Sequence, residues 1–190
     1  LRFLTWRTEG EKSVATIAWR GEELPLVLPM AGFHNLQNAA MAVAAAIFSG
    51  VAPPAAASVM SSFPGVARRM DVVGEAAGIT VVDDFAHHPT ALAVTIAAAR
   101  QRWPGRRLVI AFEPRSITAA RRSFHDASLE SLAKADLVMV APPFHRDRLE
   151  ASEVLDREEL AADLHAHGVE SVMPGDGDSV AERLLEVLKP

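Results

Sequence analysis

Apolar and polar residues alternate over residues 1–7 and again over 13–19, with Glu9-Gly10-Glu11-Lys12 between them. This pattern predicts a β-hairpin, and a short run at 24–28, closed by Pro29, predicts a third strand. The period then changes. Across 32–49, Ala39, Val43, Ala46 and Ile47 recur at helical spacing, with His34-Asn35 at the start and Gly50 as a stop. A second helix is expected over 54–62, after Pro53-Pro54 and before Pro64-Gly65. Further along, short β-rich runs at 79–82, 108–112 and 137–141 alternate with helical segments at 90–101 and about 119–135. A helix at about 157–167, a weak run at 169–173 and an amphipathic helix at 179–188 complete the series. Strands alternating with helices predict βαβ units, hence an α/β fold with a mostly parallel sheet. The turn signal at 64–69 coincides with a change in charge balance, so the expected junction lies near Gly65, between residues 1–65 and 66–190.

Charge and composition remove several function classes. The chain has 190 residues, 24 acidic against 19 basic side chains, and neither cysteine nor tyrosine. Disulfide scaffolding, thiolate ligation and cysteine nucleophiles are therefore excluded. Residues 1–70 carry six basic and four acidic groups, residues 71–150 ten of each, and residues 151–190 three and ten. No basic stripe for nucleic acid results. The longest apolar run, at 39–48, is about half of the ~20 residues that a membrane span requires. Of the apolar residues, 34 are Ala, which suits helix surfaces.

In parallel α/β sheets, ligands gather outside the carboxyl ends of the strands. The residues at those ends here are Asp83-Asp84-Phe85-Ala86-His87-His88, then Glu113-Pro114-Arg115-Ser116, then Pro142-Pro143-Phe144-His145. Pro89 suits the first helical position after the first cluster, so the Asp and His side chains are expected near a helix N-terminus, which favours anions. Carboxylates beside imidazoles could bind a divalent metal, could bind a nucleotide, or could simply cap the helix. Adjacent His87 and His88 point apart, which weakens a closed metal cage. Arg115 offers a planar fork for carboxylate or phosphate, and Arg121 and Arg122 either extend that field or lie on a solvated face. Asn35 and Asn38 share a helix face and could together read the edge of a base, although Asn35 also suits a cap. His125, His165 and His167 read as surface or satisfied histidines, and His145 is the one beside a candidate site. The chain has neither a phosphate-binding Gly-Lys loop nor a complete dinucleotide fingerprint, because Gly175 and Gly177 lack a third glycine.

Four co-linear motifs resemble one family. Gly32-Phe33-His34-Asn35-Leu36-Gln37-Asn38-Ala39 is similar to the Gly-x-His-Asn-x-x-Asn-Ala element of the Mur ligases, the ATP-dependent amide ligases of peptidoglycan assembly. Phe63-Pro64-Gly65-Val66-Ala67-Arg68-Arg69-Met70 resembles their junction between central and C-terminal domains, and the 83–90 segment resembles the motif that follows it. Phe85 and Phe112-Glu113-Pro114-Arg115-Ser116 look like the recycling branch, which joins UDP-N-acetylmuramate to L-Ala-γ-D-Glu-meso-diaminopimelate, rather than the branch that adds L-alanine.

The resemblance implies a Rossmann-like C-terminal domain over 66–190, preceded over 1–65 by a remnant of the central ATP-binding domain. It implies a cytoplasmic enzyme of peptidoglycan recycling that works through an acyl phosphate, with ATP and Mg²⁺ as cofactors. Its other substrates would be UDP-N-acetylmuramate and a tripeptide, with no nucleic-acid or membrane partner. By position, Asn35 and Asn38 would contact adenine, Arg69 and Asp84 the ribose or phosphates, and His88 would lie at the nucleotide site. Arg115 and Ser116 would face the peptide. No complete catalytic set and no metal site is expected in this segment: the family's UDP-sugar domain and phosphate loop are missing, Mg²⁺ would be held mainly by that missing part, and the isolated chain is expected to be inert. Two rivals stay open on the residues alone: a metal-dependent hydrolase using Asp83, Asp84, His87 and His88, and a non-catalytic ligand-binding domain. A fragment of an L-alanine-adding ligase is the alternative within the family.

Overall fold

The computed structural model describes residues 1–144, 146–175 and 177–188. His145 lies outside the described residues. The chain divides into two compact units, one of Leu1–Ala67 with Ala97–Pro104, the other of Arg68–Ile96 with the chain from Gly105 on.

The first unit is built on an antiparallel meander of β1 (Arg2–Glu9), β2 (Lys12–Trp19) and β3 (Glu22–Leu28). Glu9 pairs with Lys12 and Trp19 with Glu22, so each connection is a two-residue turn. In the second turn both Arg20 and Gly21 have positive φ (48° and 91°), the backbone that matches the twist of paired strands. Alternation then sorts the strands: Ala15, Ile17, Leu24, Leu26 and Leu28 are buried. They pack with Leu36, Ala39 and Val43 of α1 (Phe33–Phe48) and with Ala56 and Ala57 of α2 (Pro53–Ser58). Gly32, at φ 101°, precedes α1, and a Cβ there would stand 2.8 Å from His34 Cε1, so this start admits only glycine without displacement. The single helix expected over 54–62 is in fact α2 followed by a 3₁₀ turn, Val59–Ser62.

The second unit begins with a hairpin that the periodicity did not reveal. β4 (Asp71–Ala76) pairs antiparallel with β5 (Ile79–Asp83) across Ala77 and Gly78, both at positive φ. β4 was missed because its Asp-Val-Val-Gly-Glu-Ala sequence does not alternate and every residue in it is exposed. The expectation that 79–82 joins the parallel sheet is therefore corrected. That sheet consists of β6 (Val109–Phe112), β7 (Leu137–Val140) and β8 (Glu170–Val172), in that order. All four residues of central β7 are buried, as a parallel strand covered on both faces requires. The helices are α3 (Pro89–Arg102), of which the part up to Ile96 belongs to this unit, α4 (His125–Leu132), α5 (Arg157–Ala166) and α6 (Gly177–Val187).

Leu92, Ile96, Leu132, Leu160 and Leu164 from the helices join Phe112, Val138 and Val140 in one core. Fully burying such side chains contributes roughly 1.5–3 kcal/mol each. Within the long helix expected over 119–135, only α4 and a preceding 3₁₀ turn, Arg122–Phe124, are helical. Arg121 is instead extended and bridges to Val154, while Leu155 N donates to Ala120 O at 2.8 Å. Tertiary pairing overrides the local Ala preference there. Among the described residues no helix is long and apolar enough to cross a membrane.

Candidate functional site

In the first unit, Asn35 lies in the first turn of α1. It does not cap the helix: its Nδ2 donates back to Ala31 O at 2.7 Å. Asn38, one turn on, is exposed. The pair shares a face, with the Asn35 amide half-buried and anchored.

In the second unit, Asp84 organises the loop after β5. Its Oδ2 accepts from Met70 N at 2.8 Å, and its Oδ1 accepts from Ala86 N at 2.8 Å and from the Thr95 hydroxyl at 3.3 Å. Hydrogen bonds to an ionised acceptor are roughly twice as strong as neutral ones, so this half-buried carboxylate ties three separate segments together. Arg68 and Met70, both non-glycine residues at positive φ (61° and 53°), flank Arg69. That backbone is held in place: Arg68 O accepts from Phe85 N at 2.9 Å, and Arg68 Nε pairs with Asp83 Oδ2 at 3.0 Å. Arg69 is thereby presented at the surface, its guanidinium 5.8 Å from the centre of the Phe85 ring.

The two histidines of this loop hold opposite tautomers when neutral. His87 Nδ1 faces Phe85 O at 2.9 Å, and a carbonyl can only accept, so His87 carries its proton on Nδ1. His88 Nδ1 lies 3.3 Å from Thr90 N, which can only donate, so the proton of His88 sits on Nε2. His88 is thus the residue that caps α3, in place of the Asp that the sequence suggested. Pro89 occupies the first helical position, where its missing N–H costs nothing.

This arrangement does not suit a metal. Both oxygens of Asp84 accept hydrogen bonds, Asp83 faces Arg68, and His88 has its Nδ1 engaged by Thr90 N, so of the two histidines His87 alone keeps a lone pair, on Nε2. Among the described residues no group of three His, Asp or Glu side chains could hold an ion. The hydrolase built on Asp83, Asp84, His87 and His88 is therefore set aside, and the same donors do not fit Mg²⁺.

The loop after β6 has a different character. Arg115 is exposed; its Nη1 reaches Glu113 Oε2 at 3.1 Å, and its guanidinium carbon sits 5.0 Å from the centre of the Phe144 ring. Ser116 Oγ accepts from Ala119 N at 3.0 Å, which leaves the hydroxyl hydrogen to donate. Arg121 and Arg122 are taken up by Glu153 and Glu159, the solvated-face reading.

Three residues not assigned a role from the sequence complete these loops: Arg68, Thr95 and Phe144. Arg68 lies in the 63–70 motif and Phe144 in the strand-end cluster after β7, while Thr95 lies seven residues, or two helical turns, after His88. His125, read as surface or satisfied, is buried and meets Asp163 Oδ2 at 2.8 Å, while its Nδ1 has no hydrogen-bond partner among the described residues. Asp156 caps α5 by accepting from Glu159 N at 3.1 Å, and that backbone N–H holds its carboxyl below the usual carboxylate range.

Comparison with known proteins agrees with this architecture. Residues 68–189 match the family described as Mur ligase, glutamate ligase domain. A UDP-N-acetylmuramate–L-alanine ligase of Chloroflexus aggregans is 38% identical over 88% of this chain and 35% of its own length. The UDP-N-acetylmuramate–L-alanyl-γ-D-glutamyl-meso-2,6-diaminoheptandioate ligase of Escherichia coli is 37% identical over 96% of this chain and 36% of its own length. Among solved structures, a murein peptide ligase from Psychrobacter arcticus superposes with a TM-score of 0.70 at 27% identity, covering 98% of this chain and 38% of the other. The chain thus spans little more than a third of the length of each of these three relatives.

Proposed function

We propose, from the premise that the chain belongs to the Mur ligase family, that it is part of an ATP-dependent ligase that forms a C–N bond on UDP-N-acetylmuramate. In this reading ATP phosphorylates the lactyl carboxylate and releases ADP. An amine then attacks the acyl phosphate, forming the amide and expelling phosphate. Such a site must neutralise phosphate charge and align the amine with the activated carbonyl. Residues 1–65 are read as the remnant of the central ATP-binding domain and residues 66–190 as the C-terminal domain. The enzyme would work in the cytoplasm, on nucleotide-activated precursors of peptidoglycan.

The geometry that carries the peptide-joining form of this reading is the exposed Arg115 fork at the carboxyl end of β6. A guanidinium with open edges is the natural receptor for a free carboxylate, and L-Ala-γ-D-Glu-meso-diaminopimelate carries several. Ser116, with a hydroxyl hydrogen to donate, supports the same end. Arg69, held over Phe85, and the Nε2–H of His88 are suited to nucleotide phosphates or ribose, with Asp84 fixing their loop. Asn35 and Asn38 are assigned to adenine. Mg²⁺ is assigned mainly to the part of the ligase outside this chain, since among the described residues the donors form no group for it.

Phe85 and the 112–116 sequence favour the tripeptide over L-alanine as the amine, whereas the identities of 38% and 37% to the two kinds of relative do not separate them. The test is an assay of the full-length ligase that contains this segment, with UDP-N-acetylmuramate, ATP and either amine. Product from the tripeptide and little from L-alanine is expected; the reverse preference makes this an L-alanine ligase. The isolated 190-residue chain is expected to turn over no ATP, and measurable turnover would contradict the proposed division of labour.

A further inference from the structure

The aromatic ring beside Arg115 is exposed. Phe144 is 54% exposed, yet its backbone is fixed: its N–H donates to Pro114 O at 3.2 Å, one residue before Arg115. The loops after β6 and β7 are therefore tied together at the point where the guanidinium meets the ring, with the guanidinium carbon 5.0 Å from the centroid. Just upstream, Ala141 N donates to Phe112 O at 2.9 Å, and Arg157 Nη1 donates to Val140 O at 3.2 Å and to Pro174 O at 2.9 Å. The backbone that carries Phe144 is thus pinned to both neighbouring strand ends.

A ring packed against a guanidinium covers one side of it and leaves the N–H groups that do not face the ring open to a ligand. Glu113 takes up one of the N–H groups. The ring also adds an apolar wall beside the charge. A phosphate, hydrated on all sides, gains nothing from such a wall, whereas a carboxylate carried on an aliphatic stem can bury that stem against it.

We infer that Phe144 is a positioning and specificity-determining residue: it holds the Arg115 guanidinium at the strand end and selects a carboxylate on an aliphatic stem, such as the side-chain or terminal carboxylate of a peptide. This rests on the reading of Arg115 as the peptide receptor. Cation–π contact at an exposed site is weak, so the expected effect is roughly two- to fivefold on binding.

The test uses the full-length ligase that contains this segment, with Arg115→Ala, Phe144→Leu and Phe144→Tyr. Phe144→Leu keeps an apolar side chain but removes the π face. It is expected to raise the peptide KM roughly two- to fivefold, with the ATP KM and kcat unchanged, and Phe144→Tyr should restore the parent value. A normal peptide KM in Phe144→Leu, with a raised one in Arg115→Ala, overturns this inference alone. A normal peptide KM in Arg115→Ala overturns the reading of the peptide site and this inference with it. A second measurement does not depend on turnover. In the 190-residue chain the Arg115 Nε–H resonance should show a ring-current shift that disappears in Phe144→Leu and persists in Phe144→Tyr, and its absence from the parent chain would sink the proposal.

Discussion

The loop after β5 and the loop after β6 both gather charged side chains at the end of a strand, but they use them differently. After β5, the Asp84 carboxylate holds two backbone N–H groups and a hydroxyl, and both histidines have one nitrogen engaged locally. After β6, Arg115 has one weakly held carboxylate neighbour and a ring beneath it. The first loop uses its polar groups to hold a strained backbone that presents Arg69. The second leaves its charge available to a ligand. A carboxylate in a motif can therefore matter by shaping the loop, and only its hydrogen-bond partners distinguish that role from direct contact.

The largest expected effect probes this difference. Asp84→Ala leaves the N–H groups of Met70 and Ala86 without their acceptor, and hydrogen bonds to charged groups are worth about 1.5–3 kcal/mol each. Allowing for partial exposure, the variant should lose about 2–4 kcal/mol of stability, read as a lower urea midpoint at unchanged m-value. A loss below ~0.5 kcal/mol would erase the contrast between the loops. Arg115→Ala should do the opposite: the midpoint stays within about 0.5 kcal/mol, while the peptide KM of the full-length ligase rises about tenfold or more, as loss of a charge-assisted pair implies. An effect confined to ATP would contradict the assignment.

Asp156 is an intermediate case, a carboxylate with one capping bond. Asp156→Ala should cost about 1 kcal/mol at neutral pH. Its pKa is lowered in the folded chain, chiefly by the Glu159 N–H, so its contribution is full above the unfolded value of about 3.9 and fades as pH falls through the folded one. Unfolding curves of parent and variant should therefore converge on acidification below about pH 4; a constant gap would contradict the cap. The smallest effect is expected for Asp83→Ala. Its ion pair with Arg68 is largely exposed, with side chains 42% and 49% accessible, and such pairs are worth about 0–1 kcal/mol. A loss as large as that of Asp84→Ala would mean that Asp83 holds the Arg68 backbone as firmly as its neighbour holds Met70.

Local chemistry wrote much of this molecule into the sequence. The two-residue turns of the meander, α1 after a glycine that no other residue can replace without displacement, Pro89 at the first position of α3 and the apolar run of β7 all depend on residues close together in the chain. The α/β class follows from the same signals, because periodicity reports which face of each element is buried. The clusters at strand ends that hold Asp84 and Arg115 were legible too, as candidates, and Arg69 was a candidate through the 63–70 motif. What their side chains do was not.

Only the tertiary structure decided the rest, and the reason is distance along the chain. β4 exists because β5 pairs with it, although its own sequence has no strand period. The expected helix over 119–135 is cut short because Arg121 pairs with Val154. Asp84 finds Met70 fourteen residues earlier and Thr95 eleven later, and the Phe144 ring lies beneath an arginine on another loop. Such contacts depend on how strands and helices are brought together, and neither composition nor spacing encodes that geometry directly.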